Sequence, residues 1–347
     1  MGISKAIWER CKTKELKRLS ETATSFGLGP KNLVFIVTDR CNFSCRHCLR
    51  SADRTNDLDL DLAKRITREA ARFHYHRVSL TGGEPLLYPH LPELLEDICA
   101  HDGFFSVVSN GFLFSKYLDI FKKLRRRMYF IAFSVESADP QQHDHVRQRG
   151  SYEKLLEAFS LCRREKIPFR MVTAVSTANF DQIFDIAMLG RKKGAQCLAL
   201  TTVLPCPQAD QNQYVLDAAR RQELFLTSSS LSKITGIPVI LGADIRTPNT
   251  LRMCAAMNMN EVTINARGEM VQCCELANFD NENVRCRSLV TSLKDKTFAQ
   301  ALDNLSDRLS TLERRRIKEF QDSKDTEHID FNSCFYCVRG MSAGTSA

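Results

Sequence analysis

No stretch of this 347-residue sequence approaches the roughly 18 consecutive apolar residues that a membrane-spanning helix needs. The opening, MGISKAIWERCKTKELKRL, is studded with charge and lacks the apolar h-region of a secretory signal. Position 6 is Ala6, not the Ser or Thr that a myristoylation site takes after Gly2. No internal repeat and no low-complexity tract is found, which excludes repeat architectures. No aromatic-rich RNA-binding signature accompanies the basic runs Arg125–Arg127 and Arg314–Arg316, which read as solvated helix faces. The expectation is a cytoplasmic protein with neither a membrane nor a nucleic-acid partner.

What is present is cysteine, 14 of 347 residues, in a chain far too long for a disulfide scaffold. In a reducing compartment, clustered cysteines point to metal. With 43% hydrophobic and 26% charged residues, the chain can bury a sizeable core. A net charge of +8 favours anionic partners: a phosphorylated or carboxylate substrate, an acidic redox protein, or nucleic acid. The length suits two domains, or one α/β barrel with an appendage.

Short apolar runs alternate with amphipathic helical segments between residues 33 and 240. The expected strands are Leu33–Thr38, Arg77–Thr81, Phe104–Ser109, Tyr129–Val135, Phe169–Val175 and Gln196–Thr202. The helices between them are Leu60–Phe73, His90–His101, Ser115–Arg126, Ser151–Lys166 and Asp181–Lys193. Strand, helix, strand at this spacing means right-handed parallel βαβ units. Six such strands imply an α/β fold, a partial TIM-type barrel or open parallel sheet, with function at the strands' C-terminal ends. Beyond residue 247 the texture changes. Glu261–Asn265 and Glu269–Cys273 flank Ala266-Arg267-Gly268 as a short hairpin, followed by helices over 294–305 and 306–320. The expected organisation is an N-terminal helical extension over 1–30, the barrel core over 31–246, a small β-hairpin and helix cluster-binding domain over 247–337, and a disordered tail over 338–347.

The strongest local signal is Cys41-x3-Cys45-x2-Cys48, directly after the first strand. Chance expects roughly 14 × (14/347)², about 0.02, such triples in this composition. Three thiolates within eight residues repel one another unless a metal centre holds them. Zinc would take a fourth ligand, for which His47 is a candidate. An iron–sulfur cube held by three cysteines leaves one iron without a protein ligand.

TDRCNFSCRHCLR resembles the CxxxCxΦC cluster loop of the radical S-adenosylmethionine (SAM) superfamily, with His47 at the usually aromatic position, where its ring is available to pack on adenine. Further matches fall at successive strand ends. Gly82-Gly83-Glu84-Pro85 is similar to the family's GGEP motif, in which the acid accepts a bound ammonium. Ser109-Asn110 ends the third strand; Ser134-Val135-Glu136 and then His143-Asp144-x2-Arg147 follow the fourth. The resemblance implies that Ser134 and Glu136 face the SAM ribose and that Arg147 grips its carboxylate. The competing readings are ordinary turn caps for Ser109 and Ser134 and a surface charge for Arg147.

In the tail, Cys254-x13-Gly268-x4-Cys273 and then Cys334-x2-Cys337 are similar to the SPASM/twitch extension of that superfamily, closer to its shorter twitch form. This implies a second, auxiliary [4Fe–4S] cluster on four cysteines; the competing reading is a zinc ribbon held by the same four thiolates. Together the resemblances imply an enzyme that binds two [4Fe–4S] clusters and SAM. It would take electrons from flavodoxin or ferredoxin, form a 5′-deoxyadenosyl radical and abstract hydrogen from a small, sugar- or cyclitol-like molecule or a peptide. Oxidation would need a base, for which Glu275 is a candidate, and epimerisation a thiol, for which Cys206, Cys274 and Cys286 are candidates. The reading from another class is a non-enzymatic iron–sulfur or zinc module that binds protein or nucleic acid.

Overall fold

The computed structural model describes residues 31–245, 254–322 and 333–342. The expected N-terminal extension over 1–30 lies outside these residues, as does the expected domain boundary at 246/247. In chain order the elements are β1 (Asn32–Thr38), α1 (Leu60–Ala71), β2 (Arg77–Gly82), α2 (Leu91–Ala100), β3 (Phe104–Ser109), α3 (Leu118–Leu124), β4 (Met128–Ser134), α4 (Pro140–Val146), α5 (Ser151–Glu165), β5 (Phe169–Val175), α6 (Ile183–Lys193), β6 (Leu198–Thr202), α7 (Pro207–Gln211), α8 (Ala218–Thr235) and β7 (Val239–Leu241). The tail adds β8 (Glu261–Ile264), β9 (Glu269–Val271), α9 (Glu282–Ser288), β10 (Leu289–Ser292), α10 (Phe298–Asp322) and α11 (Ser333–Ser342).

Strand β1, NLVFIVT, is buried along its whole length. A strand covered by protein on both faces has no polar face to offer, hence the continuous apolar run. Its alternate residues Leu33, Phe35 and Val37 join the main hydrophobic core with Ala63 and Ile66 of α1. Asp59 starts α1 by accepting the Leu62 N–H at 2.8 Å, an N-cap of the usual kind.

The ten strands among the described residues form one sheet in the order β10-β9-β8-β1-β2-β3-β4-β5-β6-β7. From β8 to β7 every neighbour is parallel; β9 and β10 are antiparallel additions. The expected partial barrel is therefore present as an open sheet, with two parallel strands more than the six expected. Strand β7 has only three residues, too few for a periodic signal. Strand β8 is half of the expected hairpin, but its other edge pairs with β1, Asn32 opposite Glu261. The tail hairpin thus continues the barrel sheet instead of standing beside it.

Three other elements differ from expectation. The segment 115–126 divides into a 3₁₀ turn over Phe114–Tyr117 and the shorter α3. The two tail helices are one, α10, because its buried stripe Ala301, Leu302, Leu305 and Leu309 runs unbroken through the supposed junction. Residues 338–342, expected in the disordered tail, continue α11, where Val338 and Met341 are buried against Phe335 and Phe279. No described helix is long and apolar enough to cross a membrane.

Candidate active site

The C-terminal ends of the parallel strands surround a cavity of about 240 Å³. The loop that leaves β1 places all three thiols, Cys41, Cys45 and Cys48, on its wall, with His47 among them. The loop is held from within and from α4: the Cys48 N–H donates to the Cys45 carbonyl at 3.1 Å and the Arg46 N–H to the Val146 carbonyl at 2.9 Å. Burial pushes the Cys45 thiol up to about 12. A thiol so placed ionises when positive charge is brought to it, as a metal ion does.

Gly82, Gly83 and Glu84 line the same cavity, while Pro85 opens a buried 3₁₀ turn behind it. The glycines lie against the end of β1 and the backbone that leads into the thiol loop. A Cβ on Gly82 would lie 2.3 Å from the Thr38 carbonyl oxygen, and one on Gly83 2.2 Å from that of Arg40. The Gly83 and Glu84 N–H groups donate to those two carbonyls, each at 2.8 Å. The motif's first task is thus to seat the thiol loop on β2. The Glu84 carboxylate accepts from the Ser109 hydroxyl at 2.8 Å, the Asn110 N–H at 2.8 Å and the Leu86 N–H at 3.1 Å. These bonds pin the ends of β2 and β3 together. Burial raises the Glu84 pKa against them, and no ion pair of Glu84 occurs among the described residues.

Ser134 and Arg147 also line the cavity. Glu136 stands just behind, and its Oε1 lies 3.3 Å from Arg147 Nε and 3.6 Å from His47 Nε2. Its Oε2 accepts the Ala174 N–H at 3.1 Å. His143 is fully buried; its Nδ1 accepts the Glu136 N–H at 3.2 Å, and burial lowers its pKa to about 3. Asp144 accepts from the Gly150 and Tyr152 N–H groups and the Ser151 hydroxyl, capping α5. In the run His143-Asp144-x2-Arg147 the three named side chains each have an intramolecular partner, while His143 Nε2 and Arg147 Nε are buried without a hydrogen bond among the described residues.

The four tail cysteines, Cys254, Cys273, Cys334 and Cys337, line one second cavity. Leu204 and Glu275 line both cavities and form the wall between them. The remaining thiols lie elsewhere. Cys274 donates to the Glu261 carboxylate at 3.6 Å and the Glu275 carboxylate at 3.8 Å. Cys206 faces a separate groove with Phe279 and Phe335, its Sγ 3.8 Å from the Cys48 carbonyl. Cys286 is exposed on α9. Among the described residues no three His, Cys, Asp or Glu side chains are grouped to hold a metal ion. A multi-iron cluster takes each thiolate on a separate iron and needs no such single point.

Two arginines not singled out in the sequence line the main cavity, Arg50 and Arg54. Arg50 Nη1 donates to the Cys274 carbonyl at 2.8 Å and also to the Ala277 carbonyl, tying the first cysteine loop to the segment after Cys273. Their sequence signal was proximity: cations two and six positions after Cys48, beside a concentration of thiols.

Residues 35–189 match the family model described as the Radical SAM superfamily. The chain is 28% identical over 197 residues to the AdoMet-dependent heme synthase of Methanosarcina barkeri, covering 54% of this chain and 55% of that protein. It spans about half the length of the first curated relatives it matches. Among solved structures, anSMEcpe with bound AdoMet superposes with a TM-score of 0.64 at 14% identity, over 90% of this chain and 95% of that one. Streptococcus suis SuiB bound to its precursor peptide SuiA gives 0.63 at 14% identity, over 87% and 70%. At these identities the likeness to the solved structures is one of fold.

Proposed function

We propose that this chain, a member of the radical SAM superfamily, binds a [4Fe–4S] cluster through Cys41, Cys45 and Cys48, binds SAM beside it, and abstracts a hydrogen atom from a substrate carbon. The observation that carries the proposal is the convergence of three thiols on one cavity at the C-terminal ends of the parallel strands. The donor set fits: three cysteines leave one iron of a cube open, the position SAM would take. When bound, the reduced cluster and SAM supply a 5′-deoxyadenosyl radical, chemistry that no side chain provides.

The chain's own residues bind and orient. His47 offers a flat ring at the cavity wall, and Ser134 a hydroxyl. Glu84, buried with no ion pair among the described residues, keeps a free lone pair for an ammonium group. Arg147, anchored on Glu136, keeps its other N–H groups for a carboxylate. The four tail cysteines are a closed ligand set and suit a second [4Fe–4S] cluster. Glu275, on the wall between the two cavities, is placed to take a proton from a substrate that loses its electron to that cluster.

This placement supports oxidation over epimerisation. Epimerisation needs a thiol beside the substrate, and Cys206, Cys274 and Cys286 are not among the residues lining the main cavity. The substrate is a small sugar- or cyclitol-like molecule or a peptide. The electron donor is an acidic flavodoxin or ferredoxin, matched to the +8 charge. An anaerobic assay with reductant and SAM, read for 5′-deoxyadenosine by mass spectrometry, tests the activity; absence of that product overturns it. In deuterated solvent, oxidation leaves no solvent deuterium on the product carbon, whereas incorporation there means epimerisation.

A further inference from the structure

Arg54 stands six positions after Cys48 and closes the first cysteine loop on itself. Its Nη1 donates to the Phe43 carbonyl at 2.8 Å and its Nε to the Ser51 carbonyl at 3.2 Å. Its Nη2 reaches the Cys48 sulfur at 3.6 Å. One planar guanidinium thus holds the stretch between Cys41 and Cys45, the stretch after Cys48, and a thiol between them.

The charges around it distinguish Arg54 from Arg147 and Arg40. Arg147 faces the same cysteines but is matched by Glu136 at 3.3 Å. Arg40 is paired with Asp57 at 2.7 Å. Among the described residues no carboxylate lies at ion-pair distance from Arg54, and its oxygen partners are neutral carbonyls. The thiols are the groups in its reach that can carry the opposing charge. The second cavity has a donor of another kind. Gln272 Nε2 donates to the Cys337 sulfur at 3.6 Å, and its Oε1 accepts from Arg308 Nε at 3.5 Å. The first cysteine set therefore receives a cationic N–H···S contact beside the neutral one from the Phe43 N–H to Cys41 at 3.4 Å, whereas the side-chain contact to the second set is neutral.

We propose that Arg54 is a positioning residue that holds the Cys41–Cys48 loop in its ligating form, and that its contact with the Cys48 sulfur sets the reduction potential of the cluster bound there. The proposal rests on the reading of Cys41, Cys45 and Cys48 as cluster ligands. Its physical basis is general: hydrogen bonds and positive charge at a cluster sulfur favour the more negative, reduced form and so raise the potential. The guanidinium suits both tasks because its donors are fixed in one plane. A lysine carries the charge but cannot hold the Phe43 and Ser51 carbonyls and the sulfur together. A glutamine carries an N–H but no charge.

The test uses the full chain, purified and reconstituted anaerobically, as wild type, Arg54→Gln and Arg54→Lys. Each is measured for iron content, for SAM affinity, and for reduction potential by redox titration of the electron-paramagnetic signal that changes on adding SAM. The expected result is full iron in at least Arg54→Lys and SAM affinity within about twofold of wild type. The potential should shift to more negative values, further in Arg54→Gln than in Arg54→Lys. If Arg54→Gln does not keep its iron, the potential of Arg54→Lys decides. An unchanged potential overturns the proposal. So does a loss of SAM affinity at unchanged potential, which would put Arg54 on a ligand carboxylate. Loss of iron in both variants overturns the tuning role and leaves a purely structural one. A wild-type protein with no SAM-responsive signal would instead overturn the assignment of the three cysteines.

Discussion

Arg147 and Glu136 face each other at 3.3 Å across the wall of the main cavity, their side chains only 10% and 2% exposed. Burial alone would lower the Arg147 pKa, but the neighbouring acidic groups, Cys45 and Glu136, hold it up. Two residues whose motif positions imply ligand contacts are thus partners of each other first. Glu136→Gln would leave a buried guanidinium without its counter-charge. The expected cost is about 3 kcal/mol in denaturant unfolding. Replacing both members, Glu136→Leu with Arg147→Met, should cost less than the single change; a larger cost would mean that the pair is not coupled.

Gly83→Ala should strip one cluster and spare the other. The new Cβ would stand 2.2 Å from the Arg40 carbonyl oxygen and 2.6 Å from that of Asp39, backbone atoms with nowhere to move. The displaced segment leads straight into Cys41. Iron content should fall from about eight to about four per chain, the content of one cube. Gly150→Ala is the control. It meets nothing within 4 Å at a φ of +78°, so it should cost about 1 kcal/mol of stability and no iron.

Replacing Cys41, Cys45 and Cys48 together by Ala should abolish 5′-deoxyadenosine formation while about four irons remain. Cys334→Ala with Cys337→Ala should remove the other four and loosen the tail, because the metal closes a loop of some eighty residues between Cys254 and Cys337. A reproducible four irons plus one zinc in the wild type would identify the second site as a zinc ribbon.

His143 makes stability depend on pH. Its pKa falls from 6.5 to about 3 because it is buried. Between those values the unfolded chain binds a proton that the folded chain refuses. Stability therefore falls as pH drops below about 6.5, by up to about 1.4 kcal/mol per pH unit from this group. His143→Asn keeps an acceptor for the Glu136 N–H and removes the titration. Its denaturant midpoint should vary less between pH 7 and 5 than that of the wild type; equal slopes would count against the buried neutral imidazole.

The barrel strands and the cysteine sets were legible because their signals are local: short apolar-rich runs alternating with helical segments for β1 to β6, fixed spacings for Cys41–Cys48 and Cys334–Cys337. Strand β7 was not, since three residues carry no period. The pairing of Asn32 with Glu261 was not, since nothing in either segment names its distant neighbour. Much of the cavity wall could be named from the sequence, but the immediate partners of those residues could not. Glu84 is engaged by Ser109 and Asn110, and Gly83 by the backbone of Arg40. Arg50 and Arg54 belong to no repeating pattern, and only the folded loop reveals what they hold.

The seam between β1 and β8 also sets a timetable for synthesis. Strand β1 emerges before both of its neighbours and gains β2 within some forty residues, but its other neighbour, Glu261–Ile264, is not yet made when β7 is complete. At about 5–20 residues per second, a nascent chain carries the bare edge of Leu33–Phe35 for many seconds. An unpaired apolar edge is a template for association with other chains. The ribosome-bound protein is thus most exposed to aggregation at its most deeply buried strand, and a chain stalled before residue 261 would keep that edge open.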